Sequence, residues 1–265
     1  MWKKFVLLGL ALSLITVLTA CGGDKDEEQV LEVGATQVPH AEILEQVKPE
    51  LKKKGIQLEI VVLQDYVTPN KAVEEGELDA NFFQHVPWMK ATNEERGWHL
   101  KKVTGVHIEP MGAYSKKIKK ISELKKGATV AIPNATSEMT RVLLLLDKEG
   151  LIELDNRKGD KKLKNIKENP KNLKFKTLES AALPRFLGEV DLAVINTNYA
   201  LQADLNPVKD ALFIEGKDSP YVNVLAVKEG NENDKRVKEL AKALHSPKIK
   251  KFIEEKYKGA VVPAF

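Results

Sequence analysis

LEVGATQVPHAEILEQVKPELKKKGIQLEIVVL, residues 31–63, decides the fold. Leu31 to Thr36 is a short apolar run that breaks at Gln37-Val38-Pro39, which predicts a strand ended by a turn. From His40 to Lys54 the apolar residues Ala41, Ile43, Leu44, Val47 and Leu51 recur at the three- and four-residue spacing of an amphipathic helix, and Gly55 closes it. Ile56 to Leu63 returns to strand. A strand, a helix and a second strand of these lengths form a βαβ unit, the building block of a parallel sheet covered by helices.

Working outward from this unit, the same grammar recurs. Ala128 to Ile132 reads as a strand, Pro133-Asn134 stops it, and Glu138 to Lys148 runs as a helix. Val190 to Ile195 is another buried strand, followed by Asn196 and a helical Tyr199-Ala200-Leu201. Near the C-terminus a strand spans Tyr221 to Val227, and helices span Asp234 to Leu244 and Ser246 to Tyr257. Alternation of this kind predicts α/β architecture, and 265 residues suit one large or two modest domains. No internal repeat or low-complexity tract is evident.

Upstream, MWKKFVLLGLALSLITVLTAC has a basic start, an uncharged apolar run and small residues before Cys21, the single cysteine of the chain. The pattern predicts a lipoprotein signal over residues 1–20, with Cys21 lipidated as the first mature residue. A lone cysteine can also be an inert buried thiol. The apolar run, however, is shorter than the ~20 residues of a spanning helix and lacks the polar stripe of a core helix. More than one acyl chain, each buried CH2 contributing about 0.8 kcal/mol, makes such an anchor stable. Residues 21–29, GGDKDEEQ before the first apolar Val30, read as a flexible tether. Removal of Lys3 and Lys4 leaves 40 basic against 38 acidic side chains, a formal charge of +2 and no electrostatic footprint for nucleic acid. The lysine-rich stretches 116–126 and 158–176 are interspersed with acids and read as solvated faces.

Three strands end in polar or aromatic residues: Phe83-Gln84-His85, Pro133-Asn134 and Asn196. Ligands of α/β sheets gather at that carboxyl edge, so a cleft drawing on distant segments is expected. Arg141 follows Asn134-Ala135-Thr136-Ser137, residues suited to capping a helix. An arginine near a helix start can grip a carboxylate bidentately. It can equally form a surface ion pair.

Six blocks complete the picture: GATQVPHAEIL, DYVTPNKAVEEGELDANFFQHVPWM, VHIEPMGAYSKK, VAIPNATSEMTRVLLLL, ENPKNLKFKTLESAALPRFLGEVDLAVINTNYA and SPYVNVLAVKEGNEN. In collinear order over the whole mature chain they closely resemble the NlpA family of lipoproteins, the methionine-binding components of bacterial ABC importers. The resemblance implies a periplasmic-binding-protein fold. Two α/β lobes, residues 30–109 with 220–265 and residues 110–219, would be joined by two crossover strands and hinge near Thr104 to Met111 and Lys217 to Val222. It implies an aromatic cage of Tyr66, Phe83, His85 and Trp88 around a methionine side chain. Arg141 would hold the carboxylate, helped by Asn196 and Asn223.

Physical chemistry is consistent with those roles, since a thioether favours aromatic faces and a desolvated zwitterion needs charged and amide partners. Each residue also has a plainer reading. Strand alternation sends one of Phe82 and Phe83 to the core, and which one faces the cleft comes from the family. His85 also reads as a structural histidine, and Asn196 and Asn223 as caps. Glu109 lies near the expected first crossover and could face a ligand ammonium. Two departures stand out: Trp88 replaces the tyrosine of the family's HxPY run, and Glu138-Met139 stand where the family commonly has an asparagine and a small residue. A methionine derivative or a short methionine-containing peptide is therefore an alternative ligand.

The implied partners are methionine, an importer's permease and ATPase, and the membrane through the lipid anchor on the extracytoplasmic face; a monomer without cofactor or metal is expected. An enzyme finds no support, for G-x-S-x-G, P-loop and G-x-G-x-x-G motifs are all missing and Cys21 is committed to the anchor. A metal receptor is the other rival, since His40, His85, His99 and His107 cluster in the N-terminal part, but their spacing matches no ligand pair.

Overall fold

The computed structural model describes residues 29–216 and 219–265. The signal segment, Cys21 and the tether up to residue 28 lie outside the described residues. Strand β1 (Gln29–Ala35) already includes Gln29, the last residue of the expected tether. The chain then makes a single wide turn over Gln37–Ala41 and enters α1 (Glu42–Lys52), so the helix expected from His40 starts two residues later. Gly55, at φ +73, supplies the left-handed turn into β2 (Ile56–Val62), a conformation glycine adopts without strain. β1 and β2 pair in parallel from Gln29 opposite Ile56.

After α2 (Thr68–Glu75), β3 (Ala80–His85) joins β1 in parallel, and α3 (Val86–Arg96) leads to β4 (Leu100–Ile108). The chain crosses to a second sheet at Glu109–Met111. There β5 (Gly112–Tyr114), β6 (Thr129–Pro133) and α4 (Thr136–Lys148) follow, then a small ribbon of β7 (Glu153–Leu154) and β8 (Ile166–Glu168). β9 (Lys174–Leu178), β10 (Leu192–Ile195), α5 (Thr197–Gln202), α6 (Pro207–Asp210) and β11 (Phe213–Ile214) complete this lobe. β12 (Val222–Lys228) returns to the first sheet, followed by α7 (Lys235–Leu244), α8 (Pro247–Tyr257) and β13 (Val262–Pro263).

The first sheet runs β13-β4-β12-β3-β1-β2 and the second β11-β5-β10-β6-β9. Because β4 and β12 are antiparallel neighbours, the chain leaves and re-enters the first lobe side by side. Each lobe has its own core. In the first, Leu31, Val33 and Phe82 of the sheet meet Ile43, Leu44 and Val47 of α1 and Leu240 and Leu244 of α7. In the second, Val130 and Ile132 meet Val142, Leu143 and Leu146 of α4. Full burial contributes about 1.5 to 3 kcal/mol for each such leucine or isoleucine, and this anchors the strand ends that carry the site. Apolar packing also links the lobes: Leu201 of α5 packs on the first core, and Tyr66, from the loop after β2, packs on a hydrophobic cluster of the second that includes Tyr199.

Candidate functional site

A cavity lies between the lobes at the carboxyl ends of β3 and β10 and beside the first turns of α4. All of Tyr66, Phe83, His85, Trp88, Arg141, Asn196 and Asn223 line it. β3 explains the first group. Its residues alternate, so Phe82 enters the core while Phe83 faces the cavity. His85 ends the strand and caps α3, its Nδ1 accepting the Trp88 backbone N–H at 3.1 Å, which fixes the start of the helix that presents the indole.

Tyr66 organises the aromatic wall. Its ring lies 5.8 Å from Phe83, 5.5 Å from Trp88 and 4.9 Å from Tyr199, stacked on the last. Its hydroxyl donates to Asn198 Oδ1 at 2.5 Å, while Tyr199 donates to the Gln64 carbonyl at 3.2 Å. Burial, reinforced by Tyr199, Glu138 and Glu109, pushes the Tyr66 phenol well up, so it stays neutral and a donor. These bonds tie α5 of one lobe to the loop after β2 of the other.

The polar wall differs from expectation at two points. Ala135 stands at the N-cap of α4 and no side chain caps the helix; Asn134 Nδ2 donates to Glu179 at 2.7 Å instead. Alanine carries no oxygen with which to cap. Arg141, only 3% exposed, is also already engaged. Its Nε donates to both Glu215 oxygens at 3.2 Å, Nη2 donates to Glu215 and, at 2.7 Å, to the Glu109 carbonyl, and the guanidinium lies 4.3 Å from the Tyr221 ring centroid. The ion pair that the sequence left open is thus real, but buried, and Nη1 makes no hydrogen bond to the protein among the described residues. Burial alone would lower the guanidinium; the Glu215 carboxylate outweighs it and raises it.

Glu138, 1% exposed, is the residue that sequence reasoning noticed only as a departure. One oxygen accepts from His85 Nε2 at 2.7 Å and the other from Asn196 Nδ2. Burial pushes its carboxyl up, but contact with His85, the Arg141 charge and the Asn196 amide outweigh burial and hold it down to about 2. Because Glu138 can only accept, Asn196 must turn its amide nitrogen toward it. Asn196 Oδ1 is then buried without a protein partner, as are Trp88 Nε1 and Asn198 Nδ2. Buried polar atoms in native proteins are seldom left so.

Behind the cavity, His40 Nε2 approaches Asn223 Oδ1 and Glu109 Oε1, both at 3.2 Å, and His107 Nε2 lies 2.9 Å from the same Glu109 oxygen. Two imidazoles and a carboxylate within 4.8 Å are donors a divalent cation accepts; here His107 Nε2 hydrogen-bonds Glu109 and His40 Nε2 hydrogen-bonds Asn223, while His107 Nδ1 has no protein partner among the described residues. The structure does not bring His85 or His99 into this group. Glu215, Asn198, Tyr199 and Tyr221 were missed from sequence. Asn198 and Tyr199 lie inside the quoted INTNYA block, whereas nothing local marks Glu215.

The NlpA lipoprotein family model matches residues 31–265. The chain belongs to the NlpA lipoprotein family. It is 44% identical over 270 residues to the methionine-binding lipoprotein MetQ of Bacillus subtilis, covering 98% of each chain. A lipoprotein structure from Ruminococcus gnavus superposes with a TM-score of 0.88 at 46% identity, covering 89% of this chain and all (100%) of that one. A nutrient binding protein from Burkholderia cenocepacia, solved bound to methionine, gives a TM-score of 0.86 at 42% identity with 89% and 100% coverage. This NlpA protein therefore has the two-lobed α/β solute-binding fold with crossover strands, and it is non-catalytic. It is a solute-binding protein of the kind that delivers a small molecule to an ABC importer, anchored to the membrane outside the cytoplasm.

Proposed function

We propose that this protein captures L-methionine between its lobes and delivers it to the permease and ATPase of an ABC importer, tethered through a lipidated Cys21. The observation that carries the reading is the division of one cavity into an aromatic wall and a polar wall. Tyr66, Phe83 and Trp88 offer ring faces to a flexible, polarizable thioether. His85 closes that side while fastening Glu138. The unpartnered Asn196 Oδ1 suits an ammonium, and Trp88 Nε1, Asn198 Nδ2 and the unused Arg141 Nη1 are donors for acceptor atoms of the amino-acid head. Asn223, held by His40, lines the same end. The B. subtilis relative's name and the methionine-bound B. cenocepacia relative support the same side chain.

A thermal-shift screen of all amino acids and small methionine peptides tests the reading, because a ligand bound only by the folded state raises the melting point. Among the free amino acids methionine should give the largest shift. A larger shift from a charged or aromatic amino acid refutes it.

A further inference from the structure

The charges around the cavity do not balance. Glu138 contributes a carboxylate whose protein hydrogen-bond partners are both neutral donors. The Trp88 backbone N–H points at His85 Nδ1, so the ring's single proton sits on Nε2 and the imidazole donates to Glu138 without carrying charge. Asn196 donates an amide. Arg141 is the one permanent cation among the lining residues, and Glu215 already matches it through both Nε and Nη2. Glu109 is a second lining acid, placed among the His40 and His107 rings. Counted this way the walls carry at least one negative charge in excess, and a buried charge without a counter-charge is costly.

We propose that Glu138 makes this pocket select a net positive ligand: α-amino compounds whose carboxyl group is blocked as an amide or ester bind more tightly than the free zwitterion. The inference rests on the pocket being an amino-acid site, as above. The ligand's ammonium takes the open lone pairs of Glu138 together with Asn196 Oδ1, which is buried and without a protein partner. A free carboxylate entering the same pocket can use the open donors, Nη1 of Arg141 among them, but its charge stands beside Glu138 and Glu109 while the Arg141 charge is already matched by Glu215. An uncharged carbonyl oxygen can accept from Nη1, Trp88 Nε1 or Asn198 Nδ2 without that repulsion. Glu138 itself is the departure from the asparagine common in the family, a change from a neutral group to a charged one in the wall of the site.

Calorimetry on the mature chain with a panel of L-amino acids and their carboxamides, at a pH where the amines are protonated, tests this. In the wild type each binding side chain should favour the amide over the acid by about tenfold or more. Glu138→Gln should weaken the amide by roughly ten- to a hundredfold, the loss expected of a charge-assisted bond, and bring the ratio to one or below. Glutamine fits because Asn196 can turn its amide to present Oδ1; Glu138→Asn is the second variant, and thermal unfolding checks both. An acid that binds as tightly as its amide in the wild type overturns the proposal, as does a ratio unchanged in either folded variant. Which side chain wins reads the methionine assignment separately, and a panel in which nothing binds overturns both.

Discussion

Acidification should unfold this protein from its histidine cluster. His40 and His107 are completely buried, and both are held neutral: burial pulls His40 down to about 4 against the opposing pull of Glu109, and burial pulls His107 down to about 3. In the unfolded chain both rings protonate near 6.5. Below that value the unfolded state takes up protons that the native state refuses, so the stabilisation is complete above pH ~6.5 and is lost as pH falls toward the folded values. Each ring contributes about 1.4 kcal/mol per pH unit across that window, or roughly 4 kcal/mol for the pair between pH ~6.5 and ~5. Glu109, pushed up by burial against the pull of His40, holds a proton more readily in the native state than in the unfolded chain and so returns part of this. The remainder is large against a total stability of about 5 to 15 kcal/mol. Urea unfolding followed by circular dichroism from pH ~7.5 to ~5 should give a slope of one to two protons. His107→Gln, which keeps a donor to Glu109, should remove about half of it. Stability that stays flat over this range, or an unchanged slope in the variant, would refute the argument.

Tyr66→Phe removes the hydroxyl bridging the lobes and leaves Asn198 with neither amide atom bonded to protein, a cost of about 1 to 3 kcal/mol; the melting point should fall, and an unaltered one would show that water replaces the bond fully. Trp88→Ala should lower methionine affinity and flatten its lead over bulkier side chains, because in an apolar pocket one methylene is worth only about 1 to 3 kcal/mol; competition calorimetry measures this, and an undiminished lead refutes the aromatic wall. Ligand should close the lobes about Thr104 to Met111 and Lys217 to Val222, the latter beginning with two residues outside the described ones, and solution scattering should show a smaller radius of gyration; identical curves with ligand bound would mean a rigid receptor. Cys21→Ala should leave unprocessed precursor without an acyl chain, and mass spectrometry that finds an unmodified Cys21 in the wild-type mature protein would remove the anchor.

The alternation of strand and helix was legible because each element buries one face in one core: Ile43, Leu44, Val47 and Leu51 all lie inward on α1. The carboxyl-edge rule likewise pointed to Phe83, His85 and Asn196, which share one cavity with Arg141. What sequence could not reveal was pairing across the fold. Glu215 is 74 residues from Arg141, and His85 is 53 from Glu138. Neither contact leaves any periodic trace, since each depends on how two sheets face each other. The absent cap at Ala135 shows the converse: polar residues around a helix start suggest capping, but the residue that occupies the N-cap decides it.

Arg141 gathers its partners from both connecting segments: the Glu109 carbonyl on the way out, and Glu215 and Tyr221 on the way back. Those segments are also bonded to each other, Glu215 N–H donating to the Met111 carbonyl at 2.9 Å. The guanidinium that lines the cleft is thus riveted to both stretches of chain that join the halves. If the halves turn about those stretches, as proposed, recognition and posture share one part, and a mutation at Arg141 that retunes what the cleft prefers should also reset the stance shown to the importer.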